Sequence, residues 1–332
     1  MKLYRSSWLK PTAIITLSLL LPAVFIYYQG IQIVMAYLSN DTTRRLPSAI
    51  AYPMKQNSCT SSAPITVVSY NVLYGSAFIE KNANTFRKEY SQTYLPWSVR
   101  APEIKERLIS YSADLIGLQE TDTDADINAI VSNKDYTLVS YHKGDFQYGD
   151  AALLFKTERF DLLDSGQFWL SPTPDLPMAF GFRKLAMLRY VNWAMLSDKQ
   201  SHFKFLFVNT HFDNKGENKE PSATLFRERI ALLAKSLPII VTGDFNTEGG
   251  TERYLRFTGS QENPPLLINA YNLARQPKVA ELLQPNKRID HILAGGPCNI
   301  SATDWRVDTQ GLKNGQAMSD HEPIISQLSF NP

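Results

Sequence analysis

Short apolar runs separated by polar loops begin near Pro64 and continue to the C-terminus. "ITVVSY" reads as a strand, "WSVRAPEIKERLISY" as a helix, "DLIGLQ" as a strand and "DADINAIVSN" as a helix, because the apolar period switches from two to about 3.6. Past residue 150 the pattern turns to strands: "AALLFK", "FDLLDSGQFWL", "LRYVNWAML", "FKFLFVNT", "LPIIVTG", "RIDHILAGG" and "EPIISQLSF". Many strands with few helices between them predict a four-layer α/β sandwich, two packed mixed β-sheets flanked by helices. A doubly wound parallel sheet fits less well, since the runs near 151–170 and 188–208 leave no room for crossover helices.

The region before Pro64 follows a different pattern. Residues 11–38 carry no charge and follow Lys2, Arg5 and Lys10. A run of that length can cross a bilayer, so it predicts one N-terminal transmembrane helix. A cleaved signal peptide is the alternative, with "LSLLLPAVF" as its apolar heart and "VMA" as its cleavage site. The basic start favours a cytoplasmic N-terminus and an extracytoplasmic domain, or a secreted one after cleavage. The expected organisation is therefore a stub and anchor over 1–45, a polar linker over 46–63 and one catalytic-size domain over 64–332.

Charge narrows the choice of partner. The first 45 of the 332 residues hold five basic side chains and one acidic, which leaves 29 basic against 31 acidic in the remainder. A protein that grips long nucleic acid usually shows a basic excess, so polymeric nucleic acid is disfavoured without being removed. Cys59 and Cys298 can pair in an oxidising compartment or stand as unrelated thiols.

Chemistry-bearing side chains recur at the ends of the apolar runs: Asn71, Glu120, His211 with Asp213, and Asp244 with Asn246 after them, Asp290 in "KRIDHIL", and the trio Ser319, Asp320 and His321 ahead of "EPIISQL". Strand ends are rigid and their loops converge at one edge, so distant residues can share a pocket there. Singly, each position reads as an ordinary turn former or helix cap. In order, "SYNVLYG", "LIGLQET", "VNTHFDN", "VTGDFNTEGG", "RIDHI" and "MSDHEPI", with "WSVR" and "SGQFWLSPTPDLP", resemble the endonuclease/exonuclease/phosphatase superfamily from about residue 64 to the end. That superfamily includes deoxyribonucleases, apurinic-site endonucleases, deadenylases, neutral sphingomyelinases and inositol-polyphosphate phosphatases.

The resemblance implies a metal-dependent hydrolysis of a phosphoester. A divalent cation neutralises the phosphoryl oxygens that would repel a nucleophile. Hard Mg²⁺, with Mn²⁺ as the alternative, favours carboxylate ligands, and Glu120 and Asp320 are the implied ones. Asp244 is implied to activate the attacking water and Asn246 to hold the phosphate or water in line. His211 and His321 are implied to contact the phosphate or move protons, with Asp290 orienting His321. Asn71 is implied to lie near the metal and Asp244, and Arg189 is a candidate phosphate clamp. His291 should point away from Asp290 if both lie on a strand. Asp213, His142 and His202 receive no role. Tyr148, in "KGDFQYGD", is a guessed substrate contact.

The expected substrate is a phosphodiester, either nucleic acid or a phospholipid head group. Two other readings stay open: a phosphomonoesterase acting on inositol or other soluble phosphates, for which Arg183, Lys184 and Arg189 are too few to decide, and a non-catalytic, membrane-tethered binding module. The loop 76–96, where substrate choice is expected to reside, carries no assignable motif.

Overall fold

The computed structural model describes residues 59–75, 94–139, 150–176, 179, 181–182, 188–260, 265–274 and 284–332. The anchor run 11–38, most of the linker, Tyr148, His142, Arg183 and Lys184 lie outside the described residues. Among the described residues no helix is long and apolar enough to cross a membrane.

One sheet is built from β1 (Ile65–Asn71), β2 (Leu115–Gln119), β3 (Tyr136–Val139), β4 (Ala151–Lys156), β11 (Asn299–Val307) and β12 (Ile324–Asn331), in the order β11-β12-β1-β2-β4-β3. The other holds β5 (Phe160–Trp169), β6 (Tyr190–Asp198), β7 (Lys204–His211), β8 (Ile239–Asp244), β9 (Ile268–Asn269) and β10 (Asp290–Gly295), in the order β5-β6-β7-β8-β10-β9. Both sheets are mixed. β1 runs parallel to β2 and β7 parallel to β8, and the remaining pairs are antiparallel.

Each parallel pair needs a crossover on the outside of its sheet. α1 (Trp97–Ser110) supplies the first and α3 (Gly216–Ala234) the second, while α2 (Asp124–Ile130), α4 (Glu252–Thr258) and the short α5 (Ala270–Leu273) complete the set. α2 starts on a capping box in which Thr123 and Asp126 satisfy each other's backbone N–H. α3 is absent from the elements read off the sequence pattern. Gly216 and Pro221 interrupt its first turns, yet Ala223, Phe226, Ile230 and Leu233 recur at helical spacing and are buried.

Three apolar layers follow. Between the sheets lie Ile65, Leu115, Phe155, Phe160, Phe205, Phe207, Ile240 and Ile292. α1 and α2 cover one outer face through Ile104, Leu108, Ile127 and Ile130. α3 and α4 cover the other through Phe226, Leu233 and Phe257, which pack with Phe212 and Phe245. Each fully buried Phe contributes about 2 kcal/mol of transfer free energy to docking these helices.

Strand direction places all the chemistry at one rim. β1, β2, β7 and β8 end there, and β4, β6, β10 and β12 begin there, as the pairings Gln119 with Ala151, His211 with Asp244 and Asp244 with Asp290 require. The opposite rim is stapled. Arg159 binds Asp114 and Asp198 and donates to the Ala63 and Pro64 carbonyls, and Ser62 bonds Asp198. Cys59 and Cys298 form a disulfide at that end, with a Cα–Cα distance of 5.4 Å. Of the two possibilities left open for these cysteines, the structure has the pair bonded.

Candidate active site

Asp244 lies at the centre. As the last residue of β8 it is buried, and its Oδ2 accepts from Asn71 Nδ2 at 3.2 Å, across the gap between the sheets. His211 Nε2 lies 3.3 Å from the same oxygen and His321 Nε2 lies 3.7 Å from it. Its other oxygen accepts the Asn246 backbone N–H at 2.8 Å. Asn246 adopts a left-handed φ of 47°, which folds its side chain back so that Nδ2 donates to Phe212 O at 2.9 Å and stands 3.2 Å from His211 Nε2. Asn tolerates that conformation better than most residues. Lys219 from α3 donates to the Asn246 carbonyl. Gly243 is obligatory next to Asp244, since a Cβ there would lie 2.6 Å from Thr210 O.

Two histidines flank Asp244, each with its own carboxylate. His321 Nδ1 donates to Asp290 Oδ2 at 2.7 Å. Burial pushes the His321 pKa down, but the Asp290 charge and hydrogen bond, followed by Asp244 and Asp320, raise it to about 10. The ring is therefore an imidazolium at neutral pH. His211 Nδ1 donates to Asp150 Oδ1 at 2.7 Å. Against burial and the neighbouring Arg189, the Asp150 and Asp244 carboxylates raise the His211 pKa. Asp150 is buried too, and although burial pushes it up, Arg189 and His211 hold its carboxyl below the usual range.

Arg189 is engaged by this chain. Its guanidinium is buried and ion-paired with Asp150. Its Nη1 also lies 2.9 Å from His211 Nδ1, but Nδ1 already carries the proton given to Asp150, so that contact joins two donors and is no hydrogen bond. The guanidinium expected to clamp phosphate thus holds the carboxylate that orients His211.

Glu120 follows β2 with a left-handed φ of 58°. Its backbone N–H donates to Asp150 Oδ1 at 3.2 Å and its Oε2 accepts the Tyr74 N–H at 3.4 Å. Burial pushes its pKa up, and the Asp150 and Asp320 charges add to the push against His211 and Arg189. Carboxylates that crowd one another are relieved by a divalent cation, and an all-oxygen donor set of Glu120 and Asp320 suits a hard ion. Asp244, Asp290 and His321 also bring ligand-type atoms within 4.8 Å of one another. In that group the Asp290 and His321 atoms already satisfy each other, whereas Glu120 and Asp320 offer oxygen donors alone.

Asp320 is exposed beside Ser319, whose Oγ donates to Asn71 O at 2.7 Å and accepts the His321 N–H at 3.3 Å. Arg100 of α1 secures this arrangement from beneath. Fully buried, it donates to the Leu95, Val72, Leu73 and Met318 carbonyls at 2.6 to 2.8 Å. One side chain thus ties the loop after Asn71 to the loop that carries Ser319, Asp320 and His321.

The neighbouring residues behave as a strand dictates. His291 points to the other face of its sheet, with Nδ1 facing Asn269 and Nε2 donating to Thr247 O at 2.8 Å, and burial lowers its pKa to about 4. Asp213 accepts from the Lys215 N–H and the Asn218 side chain at the start of α3, a structural role. Two site residues escaped the reading of the sequence. Arg100 sits in the quoted "WSVR" with no acidic neighbour to advertise it. Asp150 stands directly before the strand "AALLFK", and its position at a strand end was the available signal.

Two mixed sheets, helices on both outer faces and a rim gathering histidine–carboxylate pairs around one aspartate define the class: α/β sandwiches with a strand-end hydrolytic site. The chain belongs to the Endonuclease/Exonuclease/phosphatase family, which it matches over residues 68–321. Enzymes of this family hydrolyse phosphoesters, generally with a divalent metal. Mouse Nocturnin is 27% identical over 308 residues, covering 82% of this chain and 67% of its own. Mouse Protein angel homolog 2 is 25% identical over 206 residues, 57% of this chain, which span 36% of that protein's length. A mannosyl-6-phosphatase of Bacteroides thetaiotaomicron superposes with a TM-score of 0.60 at 25% identity, over 80% of this chain and 99% of that structure.

Proposed function

We propose that this chain is a divalent-metal-dependent phosphoester hydrolase in which Asp244 activates the attacking water. The observation that carries the reading is convergence: Asn71, His211 and His321, from three separate segments, all meet Asp244, whose other oxygen takes the Asn246 backbone N–H. In the proposed reaction the water oxygen attacks phosphorus in line with the ester oxygen, and its proton passes to the Asp244 carboxylate. The P–O ester bond breaks, and the His211 imidazolium gives its Nε2 proton to the leaving oxygen. His321, held cationic by Asp290, neutralises a phosphoryl oxygen. Asn246 and Asn71 keep the Asp244 carboxylate aligned, and Arg189 acts through Asp150 rather than on substrate. When bound at Glu120 and Asp320, Mg²⁺ or Mn²⁺ supplies electrostatic stabilisation of the phosphoryl charge.

A phosphodiester, from nucleic acid or a phospholipid head group, is the proposed substrate. The second reading is a phosphomonoester, favoured by the likeness to a sugar phosphatase. Purified full-length chain should hydrolyse bis-p-nitrophenyl phosphate with Mg²⁺ and lose that activity in EDTA and in the Asp244→Asn variant. Preference for p-nitrophenyl phosphate selects the second reading, and no hydrolysis of either with any divalent ion leaves the binding-module alternative.

The proposed location is outside the cytoplasm, tethered by residues 11–38. A disulfide persists in an oxidising compartment, and Cys59 is bonded at the rim opposite the site, one strand length or about 20 Å away. The site then opens away from the tether. A C-terminal topology reporter active only in the cytoplasm would overturn this placement.

A further inference from the structure

Asn209 lies two residues before His211 in β7 and is fully buried between the sheets. Its amide is saturated. Nδ2 donates to Leu118 O at 2.9 Å and to Ala152 O at 2.8 Å, while Oδ1 accepts from Gln119 Nε2 at 2.7 Å and from Thr242 Oγ1 at 3.0 Å. Two of these partners stand on β2, one on β4 and one on β8. Leu118 is two residues from Glu120, Ala152 two from Asp150 and Thr242 two from Asp244. Two residues are one pleat, so the bonded layer lies about 7 Å beneath the site on all four strands.

We propose that Asn209 is a positioning residue that sets the spacing and register of the two sheets directly under the site. The inference rests on the hydrolase reading above and adds the residue that makes its geometry reproducible. Glu120 and Asp150 belong to one sheet, His211 and Asp244 to the other, so every distance between those pairs is an inter-sheet distance. Apolar packing holds sheets together but is non-directional, and leaves them free to slide or pivot by fractions of an ångström. Three directional bonds from one amide to β2 and β4 of the facing sheet remove that freedom, and the fourth, from Thr242 of its own sheet, fixes the amide itself. Gly117 shows that the slot is built for it. A Cβ at Gly117 would collide with Thr242 Oγ1 and lie 2.7 Å from Asn209 Oδ1, so the side-chain-free backbone of β2 lets the amide approach from the facing sheet. Asn192 Nδ2 repeats the device one strand over, donating to Ala151 O at 2.8 Å.

The test compares Asn209→Leu, of similar size, and Asn209→Asp, which turns both donors into acceptors, with Phe207→Leu. Phe207 occupies the same strand and the same inter-sheet layer but makes no side-chain hydrogen bond. In full-length protein, kcat and KM are measured with bis-p-nitrophenyl phosphate, Mn²⁺ affinity by electron spin resonance, and amide hydrogen exchange by mass spectrometry. Misplacing reacting groups by a fraction of an ångström predicts about tenfold or greater loss of kcat in both Asn209 variants, with KM within about twofold and weaker Mn²⁺ binding. Exchange should rise at the strand ends 115–120 and 239–244 and stay unchanged at 60–68. Phe207→Leu should retain kcat and Mn²⁺ affinity at a matched loss of thermal midpoint.

Equal kcat losses in Phe207→Leu and Asn209→Leu, or exchange rising uniformly along the chain, would reduce Asn209 to a stability role. Wild-type protein that neither binds Mn²⁺ nor turns over refutes the hydrolase reading instead. The exchange pattern then still decides whether Asn209 governs the site-side spacing.

Discussion

Replacing Asp290 with Asn removes a charge and little volume, and its effect can be worked out from the His321 ring. With Asp290 Oδ2 2.7 Å from Nδ1, the imidazole titrates at about 10 against an ordinary 6.5. At pH 8 a group of pKa about 10 is about 99% protonated, whereas one restored to about 6.5 is about 3% protonated. If the cation is the form that meets phosphate, Asp290→Asn loses about 30-fold in kcat/KM at pH 8 and little at pH 6, where about three-quarters of the rings stay charged. The assay is a pH–rate profile from 5.5 to 9.5 for wild type, Asp290→Asn and His321→Gln. Wild type should show no break from this group below pH 9. Asp290→Asn should fall about tenfold per pH unit above about 6.5, and His321→Gln should be low and insensitive to this ionisation. An Asp290→Asn profile parallel to wild type, displaced by a constant factor, would refute the charge argument and leave Asp290 a purely steric support.

Three further outcomes follow from the same structure. Removing the Cys59–Cys298 crosslink by the double Cys→Ser change opens a 239-residue loop, and chain entropy sets an upper bound of about 5.5 kcal/mol on the lost stability; guanidinium unfolding with and without reductant measures it, and an unchanged midpoint would show that the crosslink adds nothing. His291 is neutral in the folded chain with a pKa of about 4, while the unfolded ring takes a proton near 6.5. Stability is therefore full above pH 6.5 and declines by about 3 kcal/mol as pH falls to about 4, a slope that His291→Gln should flatten. Arg189→Met leaves Asp150 buried with only His211 as a charged partner, so kcat should fall and about 3 kcal/mol of stability with it. A rise in KM alone would return Arg189 to the phosphate clamp expected from the sequence.

Much of the frame was legible because strand polarity and side-chain alternation are local properties. "VTGDFNT" shows in the linear chain that an apolar run stops at Asp244, the same holds for His211 and Glu120, and in "RIDHIL" a run starts at Asp290. Alternation alone also separated Asp290 from His291, which the structure places on opposite faces of β10. α3 was hidden because Pro221 and Gly216 mask an amphipathic stripe that starts only at Ala223. Nothing near Asp150 in sequence indicates its histidine partner 61 residues away. Arg100 gave no sign of its role, since its partners are carbonyls, and a carbonyl carries no residue identity.

The amino-acid sequence by itself determined the two-sheet sandwich, the strand ends that carry polar groups and, through its motifs, the family. Those follow from periodicities of two and 3.6 residues and from short local patterns. Tertiary structure alone decided the pairings: Asp150 with His211 and Arg189, Cys59 with Cys298, and Asn209 across both sheets. Each joins segments tens to hundreds of residues apart. The inter-sheet distance that brings them together depends on how whole side-chain layers pack, a sum over the core that no single stretch of chain contains.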